Sequence, residues 1–258
     1  MEIMSNKYYI IRTGDFATDA NKKLIYIFLS CCLCMHDYIS SQNSEYFIVM
    51  IGSSVIWTFV ELFLNVRKIR IIKPMKIQYY GQTTVLNKYL GICLQGIQEG
   101  GVVTIIGLYF GDRLYSFMYQ CMYHILIAYM VINMVSKDSN LKILSKRQVN
   151  TSGSLLLMSS AALYNGIIIY YNPAHFYREM NMFASMTYIS SIWTIVSYYK
   201  EFRKVEVHIQ NLSGFHIKNS TWLDAFYVLS YDVFFEIGIA YLTFYNIFIL
   251  PCSKFITT

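Results

Sequence analysis

Seven apolar segments separated by short polar stretches constrain this chain more than any other feature of its sequence. A bilayer core about 30 Å thick needs roughly 20 apolar residues per helix. The segments that approach or meet this length cover residues 24–38, 46–66, 89–110, 114–135, 153–171, 182–199 and 222–250. With 55% hydrophobic and 14% charged residues, the chain is too apolar for an ordinary soluble domain. The pattern predicts an all-α integral membrane protein, a bundle of about seven transmembrane helices.

The first segment is the shortest of the seven. Lys22 and Lys23 precede it and His36 and Asp37 lie at its end, so spanning requires snorkelling or local thinning of the bilayer. A cleaved signal peptide is the alternative, but Glu2, Asp15 and Asp19 in the leader and the lack of a small-residue cleavage motif argue against it. Six helices is the fallback count.

The distribution of Lys and Arg predicts the orientation, because basic loops stay in the cytosol. With a cytosolic N-terminus, only Arg113, Arg178 and Lys254 fall on the opposite side, leaving 18 of the 21 basic residues on the cytosolic side. The C-terminus then lies opposite the N-terminus. We expect a cytosolic segment 1–23, one compact transmembrane domain 24–250 and a short tail 251–258. This orientation accounts for the net charge of +6, so we expect no nucleic-acid partner.

Three N-glycosylation motifs oppose this orientation. They begin at Asn150, Asn211 and Asn219, all on the predicted cytosolic side. Glycosylation at any of the three would invert the topology. We expect none.

Polar side chains recur at helical spacing within the apolar segments, which predicts a polar bundle interior. In the last segment Asp232, Glu236 and Thr243 share one stripe, and Tyr231 lies on an adjoining face. Similar ladders occur in most of the other segments. The candidates for binding an ion or ligand are Glu99, Asp232, Glu236, His124, Glu61, Gln95, Gln98, Tyr231 and Asn165.

Four of these candidates are carboxylic acids, and His124 is the basic residue that the segments offer to balance them. Several candidates lie ten to twelve residues from the predicted cytosolic ends, roughly 15 to 18 Å at 1.5 Å per residue. Acids buried in lipid must be protonated, bind a cation or face water. The sequence therefore predicts an acidic site near the bilayer midplane without a fixed basic counterpart.

A glycine-rich run, residues 95–101, contains Glu99 and has two interpretations. The glycines let the helix unwind around a ligand, as in transporters with broken helices, or they let a neighbouring helix pack closely. Just beyond this helix, Asp112 and Arg113 form a polar turn in which they pair with each other or cap the next helix.

Several function classes lack their signatures. Residues 222–250 contain no lysine for a retinal Schiff base, so a retinal cofactor is not expected and the cofactor is otherwise open. The histidines lack the spacing of a zinc hydrolase, and the six cysteines lack paired spacing, so no metal site is expected. No phosphate-binding loop or nucleophile elbow occurs.

The sequence favours a small transporter of a cation or of a proton-coupled solute, with Glu99, Asp232 and Glu236 as the exchangeable site and His124 tuning their protonation. The alternative is an intramembrane enzyme that acts on a lipid or sterol-like substrate, with a carboxyl group and His124 as acid and base. A receptor or scaffold without chemistry is the third hypothesis. The expected partners are the lipid bilayer and a cation, proton or small hydrophobic ligand. Organelle and oligomeric state stay open.

Overall fold

The computed structural model describes residues 5–13, 18–67, 74–135, 143–149, 151–211 and 214–257. The described residues are mostly helical. The helices are α1 (Ala20–Ser41), α2 (Glu45–Val66), α3 (Lys88–Gly96), α4 (Val103–Asp112), α5 (Phe117–Val135), α6 (Ser152–Tyr171), α7 (Phe176–Tyr199), α8 (Trp222–Ser230), α9 (Ile239–Phe244) and α10 (Leu250–Thr257). Short π-helical segments, Ile97–Val102, Tyr231–Gly238 and Tyr245–Ile249, join α3 to α4, α8 to α9 and α9 to α10.

Six helical stretches within the described ranges are long and apolar enough to cross a membrane. They are α1, α2, Lys88–Asp112, α5, α6 and Trp222–Lys254. The chain therefore has the helices of a multi-pass membrane protein. The first, α1, is longer than the predicted segment because Asp19 caps its start by accepting a hydrogen bond from the Lys22 backbone N–H. The helix α7 is outside this set, and its first turns carry Arg178 and Glu179.

Strands are the main departure from the predicted all-α fold. The described strands are β1 (Ser5–Thr13), β2 (Lys76–Tyr79), β3 (Gln82–Val85), β4 (Ile143–Val149), β5 (Arg203–Asn211) and β6 (Gly214–Asn219). They form an antiparallel sheet in the order β4-β1-β5-β6 and a separate hairpin, β2–β3. Strand β1 falls in the predicted cytosolic segment 1–23, and the other strands fall in stretches that were predicted to be cytosolic connections. The mostly helical structure agrees with the predicted all-α membrane protein. The strands in these stretches were not predicted, because interspersed basic residues hide their alternating apolar pattern.

The chain divides into two compact units, where the sequence analysis expects one domain. The sheet unit comprises Met1–Gly14, Met122–Phe176 and Thr187–Thr243. The hairpin unit comprises Asp15–Cys121, Tyr177–Met186 and Phe244–Thr258. The predicted N-terminal segment 1–23 contributes strand β1 to the sheet unit and the start of α1 to the hairpin unit.

In the sheet unit, α8 packs on one face of the sheet. The buried residues of this contact are Ile10, Val149 and Val205 from three strands and Ala225 and Val228 from α8. Burying an aliphatic side chain of this size stabilises the folded state by about 1.5–3 kcal/mol. The first turns of the last long helix are therefore fixed to the sheet.

The last long helix begins at a capping box and ends beyond the predicted segment. Thr221 and Asp224 exchange side-chain and backbone hydrogen bonds at its start. At the other end α10 continues to Thr257, so most of the predicted tail 251–258 is helical. The helix consequently includes the exposed Lys254, and the argument against retinal applies only to the segment 222–250.

In the hairpin unit, the glycine-rich run packs directly on α2. A Cβ atom added to Gly96 would overlap the backbone of Thr58, and one added to Gly100 would overlap Ser53 and Trp57. The run stays helical but changes to π-type hydrogen bonding. The interpretation that the glycines let a neighbouring helix pack closely is therefore confirmed. The described residues 95–101 contain no unwound break in the helix.

Candidate functional site

A buried ion-pair cluster in the sheet unit surrounds Asp232, which is only 2% exposed. One oxygen, Oδ2, accepts a hydrogen bond from an Arg203 terminal nitrogen at 2.8 Å, and Oδ1 accepts one from Arg147. The same Arg203 nitrogen donates to the Thr194 hydroxyl at 2.9 Å. Arg147 also lies 2.6 Å from a carboxylate oxygen of Glu236. Two guanidinium groups thus neutralise Asp232 and Glu236.

Strand pairing explains why both arginines reach Asp232. Arg147 on β4 is opposite Ile10, and Arg203 on β5 is opposite Arg12, two residues further along β1. Residues two apart on a strand share a face, so both arginines project from the face that packs on α8. Burial lowers the pKa of Arg203 from its ordinary value, and the adjacent Asp232 charge opposes that shift. The guanidinium nevertheless stays charged.

The expectation that Asp232 and Glu236 have no fixed basic counterpart is wrong. Arg147 and Arg203 lie in separate connections along the sequence. Their spacing does not predict that strand pairing brings both arginines into contact with the last helix. Strands with polar, open edges do not lie in lipid. The contact of Asp232 with two strands therefore does not fit the expected midplane position.

A polar ladder joins α6 to the last helix. The Ser154 hydroxyl donates to Glu236 at 3.0 Å and lies 3.3 Å from the Tyr231 hydroxyl. Further along the same pair of helices, the Asn165 side-chain amide donates to the Thr243 hydroxyl at 3.0 Å. The predicted stripe of Glu236 and Thr243 therefore faces α6, and its polar groups hydrogen-bond across the helix pair.

The remaining sheet-unit candidate, His124, lies on an exposed face of α5. Its Nε2 atom is 3.1 Å from the hydroxyl of Tyr188 on α7, and the two rings meet edge to face. The role of His124 in tuning the protonation of carboxylates stays a prediction.

The other predicted candidates belong to the hairpin unit. Lys23 Nζ donates to the Gln95 side-chain oxygen at 2.8 Å, and the amide of Gln95 donates to the Glu99 carboxylate. Glu61 is fully buried on α2, and Gln98 is half-buried in the π segment. Glu99 thus lies in one unit and Asp232 and Glu236 lie in the other. Their convergence on a single site stays a prediction.

A charged cleft of about 350 Å³ opens in the hairpin unit. It lies where α1 and α4 end and where α2 and α7 begin, at the end of α2 remote from the β2–β3 hairpin. Its lining consists of three acids, two arginines and three uncharged polar residues. They are Asp37, Glu45, Asp112, Arg113, Arg178, Ser41, Asn43 and Tyr46.

Arg178 joins several elements at this cleft. Its guanidinium binds Asp112 in a fork, with Nε at 2.9 Å from Oδ1 and a terminal nitrogen at 2.8 Å from Oδ2. Its other terminal nitrogen donates to Glu45 at 2.8 Å and to the Ser253 hydroxyl at 3.0 Å. Such forked arginine–carboxylate pairs fix geometry as well as charge.

Arg113 makes the second set of ion pairs in the cleft. It pairs with Asp37, lies 4.1 Å above the Tyr109 ring and donates to the Tyr46 hydroxyl at 3.2 Å. Burial alone would lower the pKa of Arg113, but Tyr46 and Asp37 outweigh it and raise that pKa above its ordinary value. Since Asp112 binds Arg178 and Arg113 binds Asp37, the first of the two alternatives for this turn, a pair between Asp112 and Arg113, is wrong.

Glu179 follows Arg178 on α7 and faces the interior of the hairpin unit. It is 2% exposed, and the Asn246 amide donates to its Oε1 at 2.6 Å. No ion pair involves it in the part of the chain that the structure describes. Asn246 lies in the π segment Tyr245–Ile249, which precedes Pro251. Single-turn π segments often occur at functional sites, where they redirect a side chain.

Glu179 and the cleft were not predicted from the sequence. The predicted segment 182–199 begins after Arg178 and Glu179, because charged residues lower the hydropathy at a helix end. The signal available was two adjacent opposite charges next to the turn at Asn172 and Pro173. Glu45, one residue before the predicted segment 46–66, was assigned to a loop for the same reason.

Within the described ranges, no group of three His, Cys, Asp or Glu side chains is arranged to hold a metal ion. No protein-family model, curated protein or solved structure matches this chain.

Proposed function

We propose that this chain is a seven-span transporter that moves a small polar solute coupled to protons. The charged cleft is the entrance on the non-cytosolic side, and Glu179 is the proton-binding group. The observation that carries the proposal is the buried Glu179 carboxyl, held by a neutral amide, one residue from the arginine that lines the cleft.

Sheet pairing supports the count of seven spans. Strands β4 and β5 both pair with β1, and only α6 and α7 separate them along the described chain. Strands of one sheet must lie on one side of a bilayer, because open strands do not span lipid. A chain that crosses through α6 must therefore return through α7. For the same reason, an even number of spans must separate β1 from β4. The helices between them supply four spans, which are α1, α2, α3–α4 and α5.

The positions of basic residues support a cytosolic N-terminus. In the hairpin unit Lys22, Lys23, Lys76 and Lys88 lie at the hairpin end of the helices, while the charged cleft lies at the other end of α2. The positive-inside rule then assigns the hairpin to the cytosol and the cleft to the opposite side. The strands of the sheet unit also lie in stretches rich in Lys and Arg.

The ion pairs of the cleft suit it to exchange partners with a solute. Three carboxylates face two guanidinium groups, so a solute with an ammonium or hydroxyl group competes with Arg178 for Glu45 and Asp112. Consecutive residues on a helix point about 100° apart. A rotation of the first turn of α7 by roughly that angle would exchange Arg178 for Glu179 at the cleft.

Proton binding by Glu179 couples this exchange to the movement of a proton. An isolated carboxylate in a low-dielectric interior is costly, so the group enters the bundle with a proton. It releases the proton when it faces water. The Asn246 amide accommodates both forms, because it offers a donor to the carboxylate and an acceptor to the carboxylic acid.

Uptake into proteoliposomes tests the proposal. The purified protein is reconstituted with a pH-sensitive dye inside, and glycine, ethylenediamine and glucose are added in turn as zwitterionic, cationic and neutral probes. We expect one probe class to move protons inward, and Glu179→Gln to reduce that movement about tenfold or more. Glu206→Gln, on the outer face of the sheet, is the matched control and should transport normally.

Other outcomes would overturn the proposal. Equal proton movement in wild type and Glu179→Gln removes the assigned role of Glu179. If none of the three probes moves protons while the protein stays folded, the receptor or scaffold hypothesis replaces transport. Turnover of a hydrophobic substrate that depends on a carboxyl group and His124 would favour the enzyme hypothesis.

A further inference from the structure

The β2–β3 hairpin presents two tyrosines to the surroundings. Tyr79 is 72% exposed and Tyr80 is 89% exposed, and their rings meet edge to face 4.5 Å apart. The turn consists of Tyr80 and Gly81, both with positive φ, at 46° and 78°. This is the two-residue turn that matches the twist of a hairpin. A bulky aromatic residue is uncommon in such a conformation, so its presence at the tip calls for an explanation.

Fixed hydrogen bonds position the hairpin against the start of α1. The Asn21 side chain donates to the Gln78 carbonyl at 2.8 Å and accepts from the Gln78 N–H at 2.8 Å. Asp19 forms an isolated bridge with Lys76, and the Leu86 N–H donates to the Met75 carbonyl. The hairpin is therefore a projection of defined direction on the hairpin unit.

The hairpin's place in the chain puts it at a bilayer surface. It lies in the connection between α2 and α3, and α2 and Lys88–Asp112 are both apolar enough to span. The exposed surface continues onto the start of α3, where Tyr89 is 67% exposed. Lys76 and Lys88 flank these tyrosines and are also exposed. Tyrosines with flanking lysines are typical of the membrane–water interface.

We propose that the tip of this hairpin inserts Tyr79 and Tyr80 into the headgroup region of the bilayer, with Lys76 and Lys88 binding anionic headgroups. The tyrosine ring is apolar while its hydroxyl stays hydrated, which suits that depth. Basic residues beside the cytosolic leaflet are attracted by its negative surface potential. Only the assignment to the cytosolic leaflet rests on the proposed topology. Insertion itself is independent of transport.

Tryptophan fluorescence tests this insertion. Tyr80→Trp is reconstituted into vesicles of phosphatidylcholine with or without phosphatidylserine, and its emission is compared with that of wild type, which contains Trp57, Trp193 and Trp222. We expect the added emission to be quenched by lipids brominated high on the acyl chain and shielded from aqueous acrylamide. Phosphatidylserine should strengthen both effects, and the Lys76→Gln and Lys88→Gln changes together should remove that dependence.

Two results would overturn the inference. Free access of acrylamide to the added tryptophan in both vesicle types would show a hairpin in water. Shielding from acrylamide without quenching by brominated lipid would show that a protein surface, from a second copy or another chain, covers the tip. Because Tyr80 is almost fully exposed, Tyr80→Trp is expected to fold, and a circular dichroism spectrum identical to that of wild type checks this.

Discussion

The guanidinium of Arg203 lies 2.8 Å from the carboxylate of Asp232, and this buried pair joins a strand of the sheet to the last long helix. The two side chains are only 6% and 3% exposed. Arg147 adds a second, more exposed guanidinium to the same carboxylate. The sheet therefore fixes the start of the last helix through charge as well as through the apolar contact with α8.

Asp232→Ala should destabilise the sheet unit strongly. Removing one partner of a buried ion pair leaves an uncompensated charge and costs about 3–5 kcal/mol. In Asp232→Ala the uncompensated charge is on Arg203, because the half-exposed Arg147 becomes hydrated. The double change Arg203→Met and Asp232→Leu should cost much less. Denaturant unfolding in detergent micelles measures both. Lys204→Ala, which breaks the exposed pair with Glu201, is the control and should change stability by less than about 1 kcal/mol.

Gly96→Ala should destabilise the hairpin unit while Gly166→Ala does not destabilise the sheet unit. A methyl group at Gly96 would meet the Thr58 backbone, whereas the Cβ position at Gly166 has open space. Overpacking costs about 1–3 kcal/mol, and alanine in an open helical position gains up to about 1 kcal/mol in helix propensity. The thermal midpoints of the two variants in one detergent measure the difference. Equal shifts would contradict the close contact of α2 with the glycine-rich run.

The outer face of the sheet should lose stability in acid through Glu206. Burial alone would raise the pKa of Glu206, but hydrogen bonds from Lys146 and His208 outweigh it and lower that pKa. A carboxylate with a lowered pKa stabilises the fold at neutral pH. That contribution is lost as the pH falls below the ordinary glutamate value of about 4.3. Thermal midpoints measured from pH 7 downward should therefore fall less steeply in Glu206→Gln than in wild type.

Glycosidase treatment should leave the mobility of the protein unchanged after expression in a eukaryotic membrane. Asn211 and Asn219 belong to strands β5 and β6, which the proposed topology puts in the cytosol, and Asn150 lies outside the described residues. The positive control is an acceptor site at the end of α1, made by the double change Ser41→Asn and Asn43→Thr. Residues 41–43 then read Asn-Gln-Thr, on the predicted non-cytosolic side. A mobility shift of the unmodified chain would invert the topology.

The helices could be predicted from sequence because a transmembrane span is a local pattern. The sheet could not, since its pairs are remote in sequence: Tyr9 lies opposite Gln148. The candidate site divides in the same way. Asp232, Glu236 and Thr243 were found from helical spacing within one segment, while their partners Arg147, Ser154 and Asn165 come from other elements. Glu179 was missed because its neighbour Arg178 made the start of α7 look like a loop.

Infrared difference spectroscopy of the reconstituted protein tests the central claim most directly, because it detects the carbonyl stretch of a protonated carboxylic acid. Spectra recorded as the pH is changed are compared between wild type and Glu179→Gln, with Glu206→Gln as the control. We expect one buried carboxylic acid signal in wild type and Glu206→Gln that titrates with pH and is missing from Glu179→Gln. The same titrating signal in all three proteins would contradict a proton-binding Glu179.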